Sequence, residues 1–193
     1  MDYAFFDVDT QWGDPAHQCL RLREHLRDMA PVYDRLFALI GASKAPLVTT
    51  LCLQSPLIDM ANNPAWVWIP QAGAAADWST RVAGGRRFML EKRTCGCSEE
   101  NVARRAYDVF HAHPHAARLI ELIGIRRWFV FGRSELCVGA VVDGLCGLGC
   151  EVTLVSDAVA PGGRGNAETV RELLARSDVD NITVDELAVR LAT

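Results

Sequence analysis

The chain has 193 residues, a formal net charge of -4 and 50% hydrophobic residues. That length predicts one domain, residues 1–193, with enough chain to bury a full core; the acidic balance, with 20 Lys and Arg scattered along the chain, excludes the basic footprint of a nucleic-acid-binding protein. No apolar stretch approaches the ~20 residues needed to span a bilayer, and the opening Met1-Asp-Tyr-Ala-Phe-Phe-Asp lacks the basic, apolar and cleavage parts of a secretory signal, so the expectation is a soluble cytoplasmic protein with no membrane partner.

Apolar runs alternate with helical patterns, the signature of a mostly parallel sheet covered by helices on both faces: an α/β, three-layer α/β/α, Rossmann-like fold. Tyr3 to Asp9 reads as the first strand. Pro31, suited to a first helical turn, opens the amphipathic segment Val32 to Ile40, which Gly41 ends. Pro46 to Leu53 is the second strand. The stretch from Gln54 to Gly85 is the least regular, broken by Asn62-Asn-Pro64, Pro70 and Gly73. Its Trp66, Trp68 and Trp78 either wall a pocket, form an oligomer contact or cover the sheet edge.

Phe88 to Lys92 is the third strand, followed by helical segments at Glu99 to Phe110 and Ala116 to Ile123. Arg127 to Phe131 is the fourth strand, Ser134 to Leu148 a helix, and Glu151 to Ser156 the fifth strand. Ala167 to Arg176 reads as a helix, Asp180 to Thr183 as a short edge strand and Val184 to Leu191 as the last helix. No internal repeat or low-complexity tract is present.

Ligands of open parallel sheets bind outside the carboxyl ends of the strands. Asp9, Lys92 and the turn before Cys137 all stand at such ends. Cys137 sits at a strand-to-helix junction, where backbone N–H groups and the helix dipole favour a thiolate. A free thiol has a pKa of about 8.5, so a neighbouring carboxylate must take its proton or a cation must stabilise its anion. Asp7 shares a face with Asp9 by strand alternation and competes with it for the role of reactive carboxylate, although Asp9 stands closer to the rim.

The 7 cysteines are an odd number without the spacing of a disulfide scaffold, which predicts reduced thiols. Cys146 and Cys150 lie a helical step apart, and Cys19 and Cys52 read as packing residues. Cys95-Gly-Cys97 and His111-Ala-His-Pro-His115 together offer zinc-ligand chemistry, but their spacing fits no standard finger or ribbon. His111, His113 and His115 therefore read as loop or cap residues, with Cys95 and Cys97 beside the site.

The chain resembles the isochorismatase-like cysteine hydrolases, a superfamily that includes nicotinamidases and N-carbamoyl amidases. The resemblance is carried by Val8-Asp-Thr-Gln11, Glu91-Lys92, Gly132-Arg-Ser-Glu-Leu-Cys-Val138 and Gly149-Cys-Glu-Val-Thr-Leu-Val-Ser-Asp-Ala158, in that order. It implies a catalytic set of Asp9 as general base, Lys92 as the charge that poises the site and Cys137 as nucleophile. It further implies hydrolysis of a small amide, carbamoyl or related acyl substrate through a cysteinyl thioester, and a homo-oligomer. The N–H groups of Arg133 and Cys137 are the oxyanion-hole candidates, and the family's cis peptide would fall at Gly132-Arg133.

Trp66, Trp68, Phe110 and Glu135 are the candidate substrate-binding residues. Arg133 is a further candidate, able to pair with a substrate carboxylate. Nicotinamidase-like members carry an Asp-x-His metal motif after the second strand, whereas this chain reads Thr50-Leu-Cys-Leu-Gln-Ser-Pro56. The expectation is thus a small-molecule substrate with no cofactor and no metal. The alternatives are a catalytically silent binding or assembly protein of the same fold, and a thiol redox or zinc-binding protein using Cys95 and Cys97.

Overall fold

A computed structural model describes residues 2–10, 28–52, 66–71, 76–92, 99–162 and 167–192. Its strands are β1 (Tyr3–Val8), β2 (Leu47–Cys52), β3 (Val67–Ile69), β4 (Arg87–Lys92), β5 (Arg127–Arg133), β6 (Glu151–Ala160) and β7 (Asp180–Ile182). They form a 7-stranded sheet in the order β3-β4-β2-β1-β5-β6-β7, every pair parallel. The chain starts in the middle, builds outward to β3 and β4, then returns to β5 on the other side of β1. The rim between β1 and β5 is therefore the point where strand order reverses, the position at which such sheets bind ligands.

The helices are α1 (Ala30–Ser43), α2 (Ala76–Val82), α3 (Glu99–Ala103), α4 (Val109–Ala112), α5 (Ala116–Ile123), α6 (Glu135–Gly147), α7 (Ala167–Leu174) and α8 (Val184–Ala192). Period-two alternation along β1 divides the core. Ala4, Phe6 and Val8 pack with residues of α2, α4, α5, α6 and α7, while Phe5 packs with Tyr33, Leu36 and Ile40 of α1 and Val184 and Leu187 of α8. Each large side chain fully buried in this way contributes about 1.5–3 kcal/mol, so the two faces together supply the main stabilising term.

Most expected elements are present within a residue or two, with Pro31 in the first turn of α1, although that helix runs through Gly41 to Ser43 and ends on the left-handed Lys44. Three differences have local causes. The segment from Glu99 to Phe110 is two helices, because Arg105 takes a left-handed conformation (φ 53°) and the Asp108 carboxylate accepts the N–H groups of Phe110 and His111, starting α4 afresh. The irregular stretch before Gly85 contains β3 and α2, a strand of 3 residues and a helix of 7, both too short to show a period in sequence. The fifth expected strand, β6, continues to Ala160: its pairing with β5 jumps from Val130↔Leu154 to Gly132↔Val159, an irregularity that lets the strand resume where an end was expected at Ser156.

Gly132 holds the centre of the sheet together. It has φ 128°, and a Cβ added there would lie 2.2 Å from the Val8 carbonyl oxygen. Only glycine admits both, so β5 can approach the end of β1 at the residue before Asp9.

Candidate active site

Asp9 leaves β1 through a left-handed turn, φ 54°, a conformation that aspartate tolerates better than most residues. This turn breaks the alternation that would have left Asp9 on the face of Asp7. Its Oδ2 instead accepts from Lys92 Nζ at 2.6 Å, and its Oδ1 accepts from Thr50 Oγ1 at 2.8 Å. Thr50 Oγ1 in turn accepts the Asp9 N–H at 3.1 Å, so one β2 hydroxyl fixes both the backbone and the carboxylate.

Lys92 ends β4, with Phe88 and Leu90 of the same alternation in the α6 side of the core. Its side chain is only 3% exposed, and Nζ lies 3.8 Å from Cys137 Sγ. Burial works against the ammonium, but the charges of Asp9 and Cys137 outweigh it and hold its pKa above the usual lysine value. Lys92 is thus a permanently charged bridge between carboxylate and sulfur.

Cys137 stands in the first turn of α6, 7% exposed. Ser134 occupies the N-cap but makes no side-chain cap bond; its hydroxyl donates to Cys137 Sγ at 3.7 Å, and its backbone N–H also acts on the sulfur. Burial first, and the Asp9 charge second, push the thiol pKa up, against the pull of Lys92 and Ser134. This corrects the expectation of a thiolate favoured by its position at the helix start: desolvation of a nearly enclosed sulfur outweighs the donors around it. Burial thus favours the neutral thiol, with the Asp9 carboxylate across Lys92 from it.

The side chains of Asp9, Lys92 and Cys137, distant in sequence, therefore meet at the β1–β5 rim. Thr50 and Ser134 complete the arrangement and were not singled out from the sequence. The available signals were a hydroxyl pair ending an apolar strand and a Ser-x-x-Cys spacing that puts the hydroxyl one helical turn before the thiol. The cis peptide lies at Arg133-Ser134, one residue after the expected position. Arg133 itself is still paired in the sheet with Ala160.

The candidate substrate-binding residues are not gathered there. Trp66 precedes β3 at the amino ends of the strands, its ring facing the Arg87 guanidinium at 5.6 Å. Trp68 alternates with Val67 and Ile69, whose face is the one shared with Cys137, and so belongs to the opposite face. Phe110 packs on Phe6 and against Gly144, where a Cβ would come within 2.1 Å of its ring; it is a helix-packing residue between α4 and α6. Glu135 is near Cys137 in α6, but its Oε2 accepts the Gly162 N–H at 2.6 Å and ties the segment after β6 to that helix. Trp78 is 5% exposed and stacks near His115, covering the β3 edge through α2.

His113 Nδ1 accepts the His115 N–H, which leaves Nε2 to donate to the Ile69 carbonyl at 3.1 Å. Burial holds this ring below the usual histidine pKa, so it is a neutral clamp between the turn after α4 and β3. Among the described residues no group of His, Cys, Asp and Glu has the geometry of a metal site. Cys19, Cys95, Cys97 and residues 53–65 lie outside the described residues. Cys137, Cys146 and Cys150 are free thiols, and no described helix is long and apolar enough to cross a membrane.

No protein-family model and no curated protein matches the sequence. Solved structures do. An isochorismatase-like hydrolase from Alkaliphilus metalliredigens is 14% identical, with 98% of this chain and 99% of that chain covered and a TM-score of 0.59. This chain has the isochorismatase-like hydrolase fold. Two other structures share the fold: N-carbamoylsarcosine amidase from Thermoplasma acidophilum, 16% identical over 96% of this chain and 98% of that one with a TM-score of 0.57, and a nicotinamidase from Staphylococcus aureus, 15% identical over 90% and 92% with a TM-score of 0.52. At these identities the likeness concerns the arrangement of the isochorismatase-like sheet and helices, and the chemistry rests on the side chains themselves.

Proposed function

We propose that the protein is a metal-independent cysteine hydrolase that cleaves a small amide, carbamoyl or related acyl substrate. The observation that carries this reading is the position of Lys92 Nζ, 2.6 Å from Asp9 Oδ2 and 3.8 Å from Cys137 Sγ, with Lys92 and Cys137 both buried. The likeness to two amidases in fold supports it.

In the proposed cycle Asp9 takes the Cys137 thiol proton as sulfur attacks the carbonyl carbon, and the carbonyl π electrons move to oxygen. Lys92 compensates the charge as it passes from the carboxylate to the sulfur. The intermediate collapses with cleavage of the C–N bond, the nitrogen leaving with the proton that Asp9 carries. Water, deprotonated by Asp9, then attacks the thioester carbonyl, and sulfur leaves to recover its proton. The oxyanion needs donors fixed before the reaction. The Cys137 N–H lies in the first turn of α6, where no helical carbonyl is available to it. Arg133 remains in the sheet, which makes Ser134, at the break between strand and helix, a better second donor than the Arg133 expected from sequence.

The Thr50 hydroxyl, at the end of β2, is committed to Asp9. The test is ammonia or amine release from a panel of small amides, carbamoyl compounds and amidated acids. Turnover that disappears in Cys137→Ala, with an acyl mass increment trapped on Cys137, supports the reading; turnover that persists in Cys137→Ala refutes it.

A further inference from the structure

The proposed cycle uses one carboxylate of β1 and leaves a second unexplained. Asp7 is 4% exposed and projects toward the α1 side of the sheet, where its neighbours are the aromatic side chains of Phe5, Phe129, Phe131 and Tyr33. Its Oδ2 accepts from Thr49 Oγ1 at 2.9 Å and from Thr10 Oγ1 at 3.0 Å, while Oδ1 has no hydrogen-bond partner among the described residues. An ionised carboxylate with one buried oxygen bare is expensive, whereas a neutral carboxyl with two donors on its other oxygen costs much less. An apolar residue would fill this position more cheaply, so the acid calls for an account.

The two threonines supply it. Thr49 immediately precedes Thr50, the hydroxyl that holds Asp9, and Thr10 immediately follows Asp9. The carboxyl of Asp7 therefore binds the flanks of both segments that present the base, from the far side of the sheet. We propose that Asp7 is a positioning residue: as a neutral carboxyl it clamps Thr49 and Thr10 so that Asp9 meets Lys92 and Cys137, and on ionisation it adds a negative charge that opposes formation of the Cys137 thiolate.

Burial pushes Asp7 up to about 7, with the Asp9 charge in the same direction and the Thr10 and Thr49 hydrogen bonds against it. Among the described residues the titratable and charged groups around it are Asp9 on β1, Tyr33 on α1, itself pushed up by burial, and beyond Tyr33 the Arg133 guanidinium at the end of β5; β2 contributes the uncharged Thr49. The inference rests on the reading of Asp9 and Cys137 as base and nucleophile.

The experiment is the pH dependence of iodoacetamide labelling at Cys137, located by peptide mass spectrometry, in the wild type, Asp7→Asn, Asp7→Leu and Thr49→Val. Asparagine keeps an acceptor for both threonines and never ionises, so Asp7→Asn should match wild type at pH 6 and label roughly threefold faster at pH 8. Asp7→Leu should differ from Asp7→Asn at both pH values; if it does not fold, Thr49→Val breaks the β2 half of the clamp and, by removing a hydrogen bond that holds the Asp7 pKa down, should move the Asp7-dependent inflection of the labelling curve to higher pH. A curve for Asp7→Asn that superimposes on wild type, or changes by one factor at all pH values, overturns the proposal. Amide turnover that persists in Cys137→Ala, with Cys137 labelling that still responds to Asp7→Asn, refutes the hydrolase reading and supports the coupling; Cys137-dependent turnover with labelling indifferent to Asp7 does the reverse.

Discussion

Lys92 lies in hydrogen-bond contact with Asp9, its Nζ 2.6 Å from Oδ2, and its side chain is 3% exposed against 15% for the aspartate. The cation is the more deeply buried partner, so its charge depends on the pair more than the carboxylate's does. Replacing Lys92 by Met should lower the melting temperature by an amount corresponding to about 3 kcal/mol, because Asp9 loses its buried partner. Labelling of Cys137 at neutral pH should fall as well, since Lys92 is the cation that lowers the thiol pKa. Thermal melts and alkylation rates on the same preparation check both; unchanged alkylation would remove Lys92 from the site.

Asp9→Asn should separate two quantities that usually move together. The Asp9 charge raises the Cys137 thiol pKa, so its removal should increase thiolate and speed alkylation. Turnover should nevertheless drop by about 10²–10⁴, because the base is gone. Parallel measurement of alkylation and hydrolysis decides: loss of both in a folded variant would mean that Asp9 acts by shaping the site and not as a base.

Gly132→Ala should be among the most damaging single-methyl changes in the chain. The added Cβ would meet the Val8 carbonyl oxygen at 2.2 Å in a backbone conformation, φ 128°, that alanine avoids. Relief requires β5 to withdraw from β1, which moves the turn carrying Ser134 and Cys137 away from Asp9. A destabilisation above about 3 kcal/mol, measured by denaturant unfolding, is expected; a variant as stable as wild type would contradict the close approach of these strands.

Asp7 gives stability a pH dependence of definite sign. Its pKa is raised from 3.8 to about 7 on folding, so between these values the native state holds more protons than the unfolded state and this group's contribution falls as pH rises. Above about pH 7 the loss is complete, on the order of 4 kcal/mol at most. Asp7→Asn should therefore gain stability relative to wild type between pH 5 and pH 8. Urea unfolding at both values provides the check, and a difference that does not grow with pH counts against a buried, protonated Asp7.

What the sequence alone determined was local and repetitive. Apolar runs of strand length alternating with helical patterns settled an α/β chain with a parallel sheet, since each pattern is a direct consequence of burying one or both faces of an element. Asp9, Lys92 and Cys137 were legible because each stands where a run ends. Short elements such as β3 and α2, with too few residues for a period, were not, and the cap at Asp108 that divides α3 from α4 competed unseen with a continuous helical pattern.

Only the tertiary structure shows that Asp9 and not Asp7 meets Lys92, because a left-handed turn at one residue overrides strand alternation. It also revealed Thr50 and Ser134, ordinary hydroxyls whose importance lies in what the neighbouring strand and helix place beside them. Trp66, Trp68 and Phe110 were drawn to the site by size and aromaticity, but those properties suit core packing equally well; the rim, face and helix each occupies depend on strand register. Likewise the upward push on the Cys137 thiol pKa follows from burial against nearby donors, a balance of long-range contacts that no local pattern encodes.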